Sequence, residues 1–272
     1  MLLSSISTNM SAVGWRWRVE RWRCSLACSE RRQVHRRDLS WGLVRTQHAH
    51  MHSLHAVAFS SAVAAGVYLS SLDCDFVFDD ALAIVNNPDV APHAPLAGLL
   101  AHDFWGKALD KEDSHKSYRP LTVLSFRVHT WWTNRRAAPR YFHAVNTVLH
   151  AAATACVAAL GAWLWPHGRG SSAGIGRGLR RRPRPRVALM AGLLFAVHPV
   201  HVEAVTGVVG RAELLCALWC FACAAAYSGC ASRWPTVARG GVLLPLARTG
   251  MGVSVAALFA LAVLSKETGV TL

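Results

Sequence analysis

Four carboxylates fall within eight residues in Asp73-Cys-Asp-Phe-Val-Phe-Asp-Asp80, directly after the first long uncharged apolar run of the chain. If that run is a membrane helix ending near Leu72, Asp79 and Asp80 lie just outside the hydrocarbon. There an adjacent acid pair pushes one pKa upward, which suits a general base. The same residues also read as a solvated acidic loop that ends a helix, because perturbed acids mark active sites only statistically.

Three further groups carry chemistry-bearing side chains. In Ser114-His-Lys-Ser-Tyr-Arg-Pro120 a cationic, hydroxyl-bearing turn precedes an apolar stretch. Arg119 there could grip a phosphate bidentately or simply belong to a charged turn at a helix start. The stretch 121–132 is short for a span and holds Arg127 and His129, so it reads as an interfacial helix. The second group is His198-Pro-Val-His-Val-Glu203, continuing to Gly210-Arg-Ala-Glu213. Ionisable residues at membrane depth are costly to desolvate and are therefore candidates for function. His198, His201 and Glu203 lack the spacing that sets two imidazoles one helical turn apart, and Pro199 interrupts them, so they read as the lining of a polar cavity and no metal is expected. Lys266-Glu267 forms the third group, either a helix-end ion pair or a further contribution to that cavity. A carboxylate base joined to cations at the mouth of a helical bundle suits a lipid-phosphate-linked donor. Its tails lie in the bilayer, its phosphate meets Arg and His, and the acceptor arrives from water.

Such groups must be positioned by membrane helices. The 272 residues are 53% hydrophobic and carry a formal net charge of +14. The apolar residues gather in blocks of roughly 15 to 22, close to the ~20 that cross a bilayer, near 54–72, 144–165, 187–202, 212–231 and 251–265. The fold class is therefore an all-α polytopic membrane protein. Arginines concentrate in 1–53, which has nine, and in 166–186, which has seven, with more in 232–250. Strict alternation puts all three segments on one side, the cytosolic side by the positive-inside rule. Residues 1–53 then form a basic, disordered cytosolic tail, and 73–143 a large loop on the far face. This distribution of charge argues for topology and against nucleic acid. Among the eight cysteines, Cys216, Cys220 and Cys223 sit in an apolar block as small hydrophobes, without the partners of a zinc site.

Several long motifs, in one order, carry a resemblance to a known family. They are Asp75-Phe-Val-Phe-Asp-Asp-Ala-Leu-Ala-Ile-Val-Asn-Asn87, His102-Asp-Phe-Trp-Gly106, Ser114-His-Lys-Ser-Tyr-Arg-Pro-Leu-Thr-Val-Leu124, Leu194-Phe-Ala-Val-His-Pro-Val-His-Val-Glu-Ala204, Gly207-Val-Val-Gly-Arg-Ala-Glu-Leu-Leu-Cys216 and Leu264-Ser-Lys-Glu-Thr-Gly269. Over about 54–272 the chain resembles the transmembrane and tetratricopeptide-repeat-containing proteins. That resemblance implies the N-terminal part of a GT-C-type glycosyltransferase bundle in the endoplasmic reticulum membrane, N-terminus cytosolic. The implied reaction moves mannose from dolichyl-phosphate mannose to Ser or Thr hydroxyls of cadherin-like proteins, with inversion and without a further cofactor. It implies a base at Asp79 or Asp80 and donor contacts from Arg119, His198, His201, Arg211 and Lys266, with Glu203 and Glu267 beside them. The family's 34-residue helical repeats are not seen here, so an incomplete chain without full transferase activity is expected. A non-enzymatic scaffold of the same membrane, linked to calcium handling, is the alternative; a transporter fits less well, because the ionisable residues sit at span ends and not at the midplane.

Overall fold

The computed structural model describes residues 47–133, 138–164, 184–237 and 244–271. Most of the expected tail and basic loops, 1–46, 165–183 and 238–243, lie outside the described residues. The chain divides into two units, Met1–His52 and Ser53–Leu272. Of the first, only 47–52 is described, and it is helical.

The described residues form helices, tight turns and one isolated antiparallel bridge between His102 and Ala108, with no strand. In order the helices are α1 (Gln47–Asp73), α2 (Leu96–Ala101), α3 (Pro120–Trp132), α4 (Pro139–Leu164), α5 (Pro185–Ala196), α6 (His201–Thr206), α7 (Arg211–Val237) and α8 (Leu244–Ser265). Among the described residues, three segments are long and apolar enough to cross a bilayer: Gln47–Asp73 (α1), Pro139–Trp163 within α4, and Val208–Cys230, which joins the turn before α7 to most of that helix. The apolar helices Pro185–Ala196 and Thr249–Ser265 are shorter. α5 stops at Ala196 because His198-Pro199 follows, and proline supplies no N–H to carry the helix on. The stretch expected as a span at 187–202 is thus two helices, α5 and α6, joined by a turn.

Small residues hold the long helices together. Ala56, Ser60 and Ala64 are buried at four-residue intervals on α1, and Ala188, Gly192 and Ala196 on α5. A Cβ on Gly192 would meet Ser60 Oγ at 2.4 Å and Ala158 Cβ at 3.0 Å. Close backbone approach through small side chains is how helices associate where water supplies no hydrophobic drive.

At the end of the bundle where α1 finishes, the segment 74–119 folds into a cap. Its apolar core joins Ala83, Ile84, Val90, Leu99 and Phe104 to Val123 and Phe126 of α3, Phe142 of α4 and Val208. Asp103 organises the tip of the cap. Its carboxylate accepts hydrogen bonds from Ser114 Oγ at 2.6 Å, Trp105 N at 2.9 Å, Lys107 N at 3.0 Å and His115 N at 3.2 Å. Burial opposes its charge, but these four donors prevail and hold its pKa below the usual carboxylate value. Gly106 is required in this turn: its φ is +81°, and a Cβ would lie 2.6 Å from Asn87 Oδ1. α3 buries Thr122, Val123, Phe126, Arg127 and Thr130, and exposes Val128, Trp131 and Trp132.

Candidate active site

The acid pair is split by the backbone. Phe78 adopts a left-handed φ of 43° and is 93% exposed. Behind this turn Asp79 faces solvent while Asp80 is 1% exposed. Asp80 Oδ1 accepts the Val209 N–H at 2.9 Å, and Oδ2 accepts the Val77 N–H at 3.3 Å. Asp80 therefore fastens the cap to the three-residue 3-10 turn Val208–Gly210, a contact across 129 positions of sequence.

That turn is held from its other side as well. Asn146 Nδ2 donates to the carbonyls of Gly207 at 3.1 Å and of Val205 and Val208 at 3.4 Å. Asn146 Oδ1 in turn accepts from Arg211 Nε at 3.0 Å, and Arg211 Nη2 donates to the Phe142 carbonyl at 3.1 Å. The Arg211 guanidinium lies 4.8 Å from the Phe126 ring centroid and 5.2 Å from that of Phe142. At 1% exposure it is enclosed by neutral partners, so it holds α4, α7 and the turn together and cannot reach a donor phosphate from where it sits. Its neighbour His129 packs against Phe142 with the ring centroids 4.0 Å apart and the planes tilted by 37°; burial first, and the Arg211 charge second, lower its pKa to about 4.

Arg119 and Lys266 have a different setting. Arg119 precedes α3 and projects its guanidinium 5.0 Å from the Phe104 ring centroid. Its Nε donates to both oxygens of Glu267, at 3.1 and 3.0 Å, and its Nη2 lies 2.9 Å from Oε2. Lys266 pairs with Glu213 at the start of α7. The Thr122 hydroxyl donates to the Ser265 carbonyl at 2.8 Å, which ties the start of α3 to the end of α8 and so brings the two cations into one locality. Burial lowers the pKa of Lys266, and nearby Arg119 lowers it further, while Glu267 and Glu203 act in the opposite direction. A row of rings connects this locality to the acid pair. It runs from Phe76 to Phe142 (5.4 Å), to Phe126 (6.1 Å) and to Phe104 (6.2 Å), beneath Arg119.

The two histidines form a separate group. His198 is exposed, and its Nδ1 accepts the Val200 N–H at 3.2 Å, which shapes the turn. His201 is half-buried, with its Nδ1 donating to the Phe195 carbonyl at 2.9 Å and its ring against Phe195 at 4.2 Å and His150 at 5.2 Å. Burial, and then His198, lower its pKa, so His201 is neutral near pH 7 and keeps Nε2 as an acceptor. Among the residues expected at the site, then, the structure gathers Arg119, Lys266, Glu203 and Glu267. It exposes Asp79, and it turns Asp80 and Arg211 inward. The parts played by Asn146 and Phe104, and the pairing of Glu213 with Lys266, emerge only from the structure. Asn146 had one sequence signal: a carboxamide close to an apolar run, which must find a partner.

The class of protein is set by these observations: an all-helical membrane protein whose long helices carry a folded, charge-bearing cap. Its sequence relatives agree with that class. Human protein O-mannosyl-transferase TMTC4 is 48% identical over 158 residues, 58% of this chain. Mouse TMTC3 is 40% identical over 210 residues, 77% of the chain, and mouse TMTC1 is 41% identical over 223 residues, 79% of the chain. The resemblance read from the motifs is borne out: the chain is similar to members of the TMTC family of protein O-mannosyl-transferases. It spans about a fifth of their length, 21%, 20% and 21% respectively. No protein-family profile matches the chain. No solved structure matches it either.

Proposed function

We propose that this chain forms the donor-side part of a protein O-mannosyltransferase of the endoplasmic reticulum membrane, of GT-C type, with the cap 74–119 in the lumen. The donor is dolichyl-phosphate mannose, and the acceptors are Ser or Thr hydroxyls of cadherin-like domains. One observation carries the reading. Relatives named as protein O-mannosyl-transferases match the chain at 40–48% identity, and the chain itself supplies a solvent-facing carboxylate, Asp79, and two recessed cations, Arg119 and Lys266.

In this reading Asp79 accepts the proton of the acceptor hydroxyl as its oxygen attacks the mannose anomeric carbon. The bond from that carbon to the phosphate oxygen breaks, its electron pair leaves with dolichyl phosphate, and the configuration inverts. Arg119 and Lys266 stabilise the negative charge of the departing phosphate. Asp80 works as a positioning residue, since both its oxygens already accept backbone N–H groups. The test is mannose transfer to a cadherin domain in microsomes making the full chain and supplied with labelled donor. Asp79→Asn should lower transfer by roughly 10²–10⁴-fold, the range of a lost general base. Transfer by Asp79→Asn equal to that of the unaltered chain would remove Asp79 from this role.

A further inference from the structure

The two ion pairs of the candidate site share an asymmetry. The side chain of Arg119 is 20% exposed and that of its partner Glu267 46%; Lys266 is 19% exposed and its partner Glu213 46%. In each pair the cation is recessed and the acid stands outward. Arg119 is also pinned, over the Phe104 ring and at the first turn of a packed helix. Glu267 begins the short 3-10 turn Glu267–Thr271, and its carboxylate accepts from Arg119. The carboxylate fills the guanidinium fork through Nε and Nη2, the arrangement that a phosphate's oxygens also adopt. Ion pairs with one partner half in water are weak and exchange readily. Finally, three acids, Glu203, Glu213 and Glu267, surround two cations. The locality repels a further anion until an acid moves away.

We propose that Glu267 and Glu213 are displaceable stand-ins for phosphate, each holding a recessed cation until the phosphate of a lipid-linked donor takes its place. This rests on the reading of Arg119 and Lys266 as phosphate contacts. It adds that their resting partners set the threshold for donor binding. An incoming phosphate bridges Arg119 and Lys266 and relieves the repulsion between them. Both carboxylates then swing into water. A neutral lipid or a sugar without phosphate cannot drive the exchange, so the two acids act as a filter for the head group.

The experiment titrates the full chain in lipid nanodiscs with dolichyl phosphate and, separately, with inorganic phosphate. Glu267→Gln should bind dolichyl phosphate roughly five- to tenfold more tightly, because a single competing charge is removed without loss of volume. Glu213→Gln should move the same way, and provides a second reading. Arg119→Gln should weaken binding by about tenfold or more through loss of the bidentate fork. Asp113→Asn removes an equal charge from the exposed Lys107 pair, which touches neither Arg119 nor Lys266, and should leave affinity unchanged, which separates local exchange from a general charge effect. If Arg119→Gln weakens binding while both Glu→Gln variants bind no more tightly than the unaltered chain, the stand-in role fails and the phosphate contact survives. If Arg119→Gln binds as the unaltered chain does, or no form binds, the contact fails and the stand-in role with it. Tightening toward inorganic phosphate alone would mark a free-phosphate site and overturn the lipid-linked source.

Discussion

Arg119 and Arg211 stand on the same row of aromatic rings, yet the protein uses them in opposite ways. Arg211 is sealed between Phe126 and Phe142 and spends its donors on an amide oxygen and a backbone carbonyl. Arg119 has a ring on one side and an exchangeable carboxylate on the other. The acid pair repeats the contrast at shorter range: Asp80 is buried on two N–H groups, and Asp79 faces water. A charge bound to backbone and amide groups is part of the framework. A charge bound to another movable charge is available for chemistry.

The widest gap between the two arginines should appear in stability. Arg211→Ala strips partners from Asn146 Oδ1 and the Phe142 carbonyl and opens a hole between two rings, which should cost on the order of 3–5 kcal/mol. Thermal unfolding of the detergent-solubilised chain measures it. A melting temperature within a degree or two of the unaltered chain would erase the distinction drawn here.

Next in size is the acid pair. Asp80→Ala leaves the Val77 and Val209 N–H groups without their acceptor and should cost about 1–3 kcal/mol. Asp79→Ala should change stability by less than about 0.5 kcal/mol, as surface substitutions do. The two variants compared by melting, then by mannose transfer, should change rank: Asp80→Ala worse in the first, Asp79→Ala in the second.

The sequence made the fold class and the approximate positions of the helices legible, because apolar runs of bilayer length are a one-dimensional signal. Helix ends were less so. The chain is already helical at Gln47, and α4 starts at Pro139, both before the expected apolar runs, since backbone hydrogen bonding continues through polar residues. The roles of Asp79 and Asp80 were not separable from spacing, because the side each faces depends on the backbone torsion at Phe78. The enclosure of Arg211 was hidden from spacing for a similar reason. Its enclosure depends on Asn146, 65 positions away, and on two rings from different helices.

Protonation offers a further way to sharpen the contrast around Arg211. His129 has its pKa lowered from 6.5 to about 4 by burial and by the Arg211 charge. A histidine whose folded pKa is depressed contributes no penalty above the unfolded pKa. Below it the unfolded chain takes up the proton first, so stability declines as pH falls from 6.5 toward about 4. His129→Phe should flatten the fall in melting temperature across that window. An unchanged slope would place the pH sensitivity elsewhere, His201 being another group with a lowered pKa.

Only a small change in stability is expected at Arg119, where the functional claim is largest. Arg119→Gln removes a pair whose carboxylate is 46% exposed, and such pairs contribute about 0–1 kcal/mol. Its guanidinium rests on a single ring, and the cap core beneath it stays intact. Melting should therefore shift little, while dolichyl phosphate binding weakens. The same substitution read by both measurements tests the division directly, because a framework arginine would lose stability first and binding only as a consequence. If Arg119→Gln unfolds the chain as readily as Arg211→Ala does, the two arginines belong to one class and Arg119 is not a residue held in reserve for a ligand.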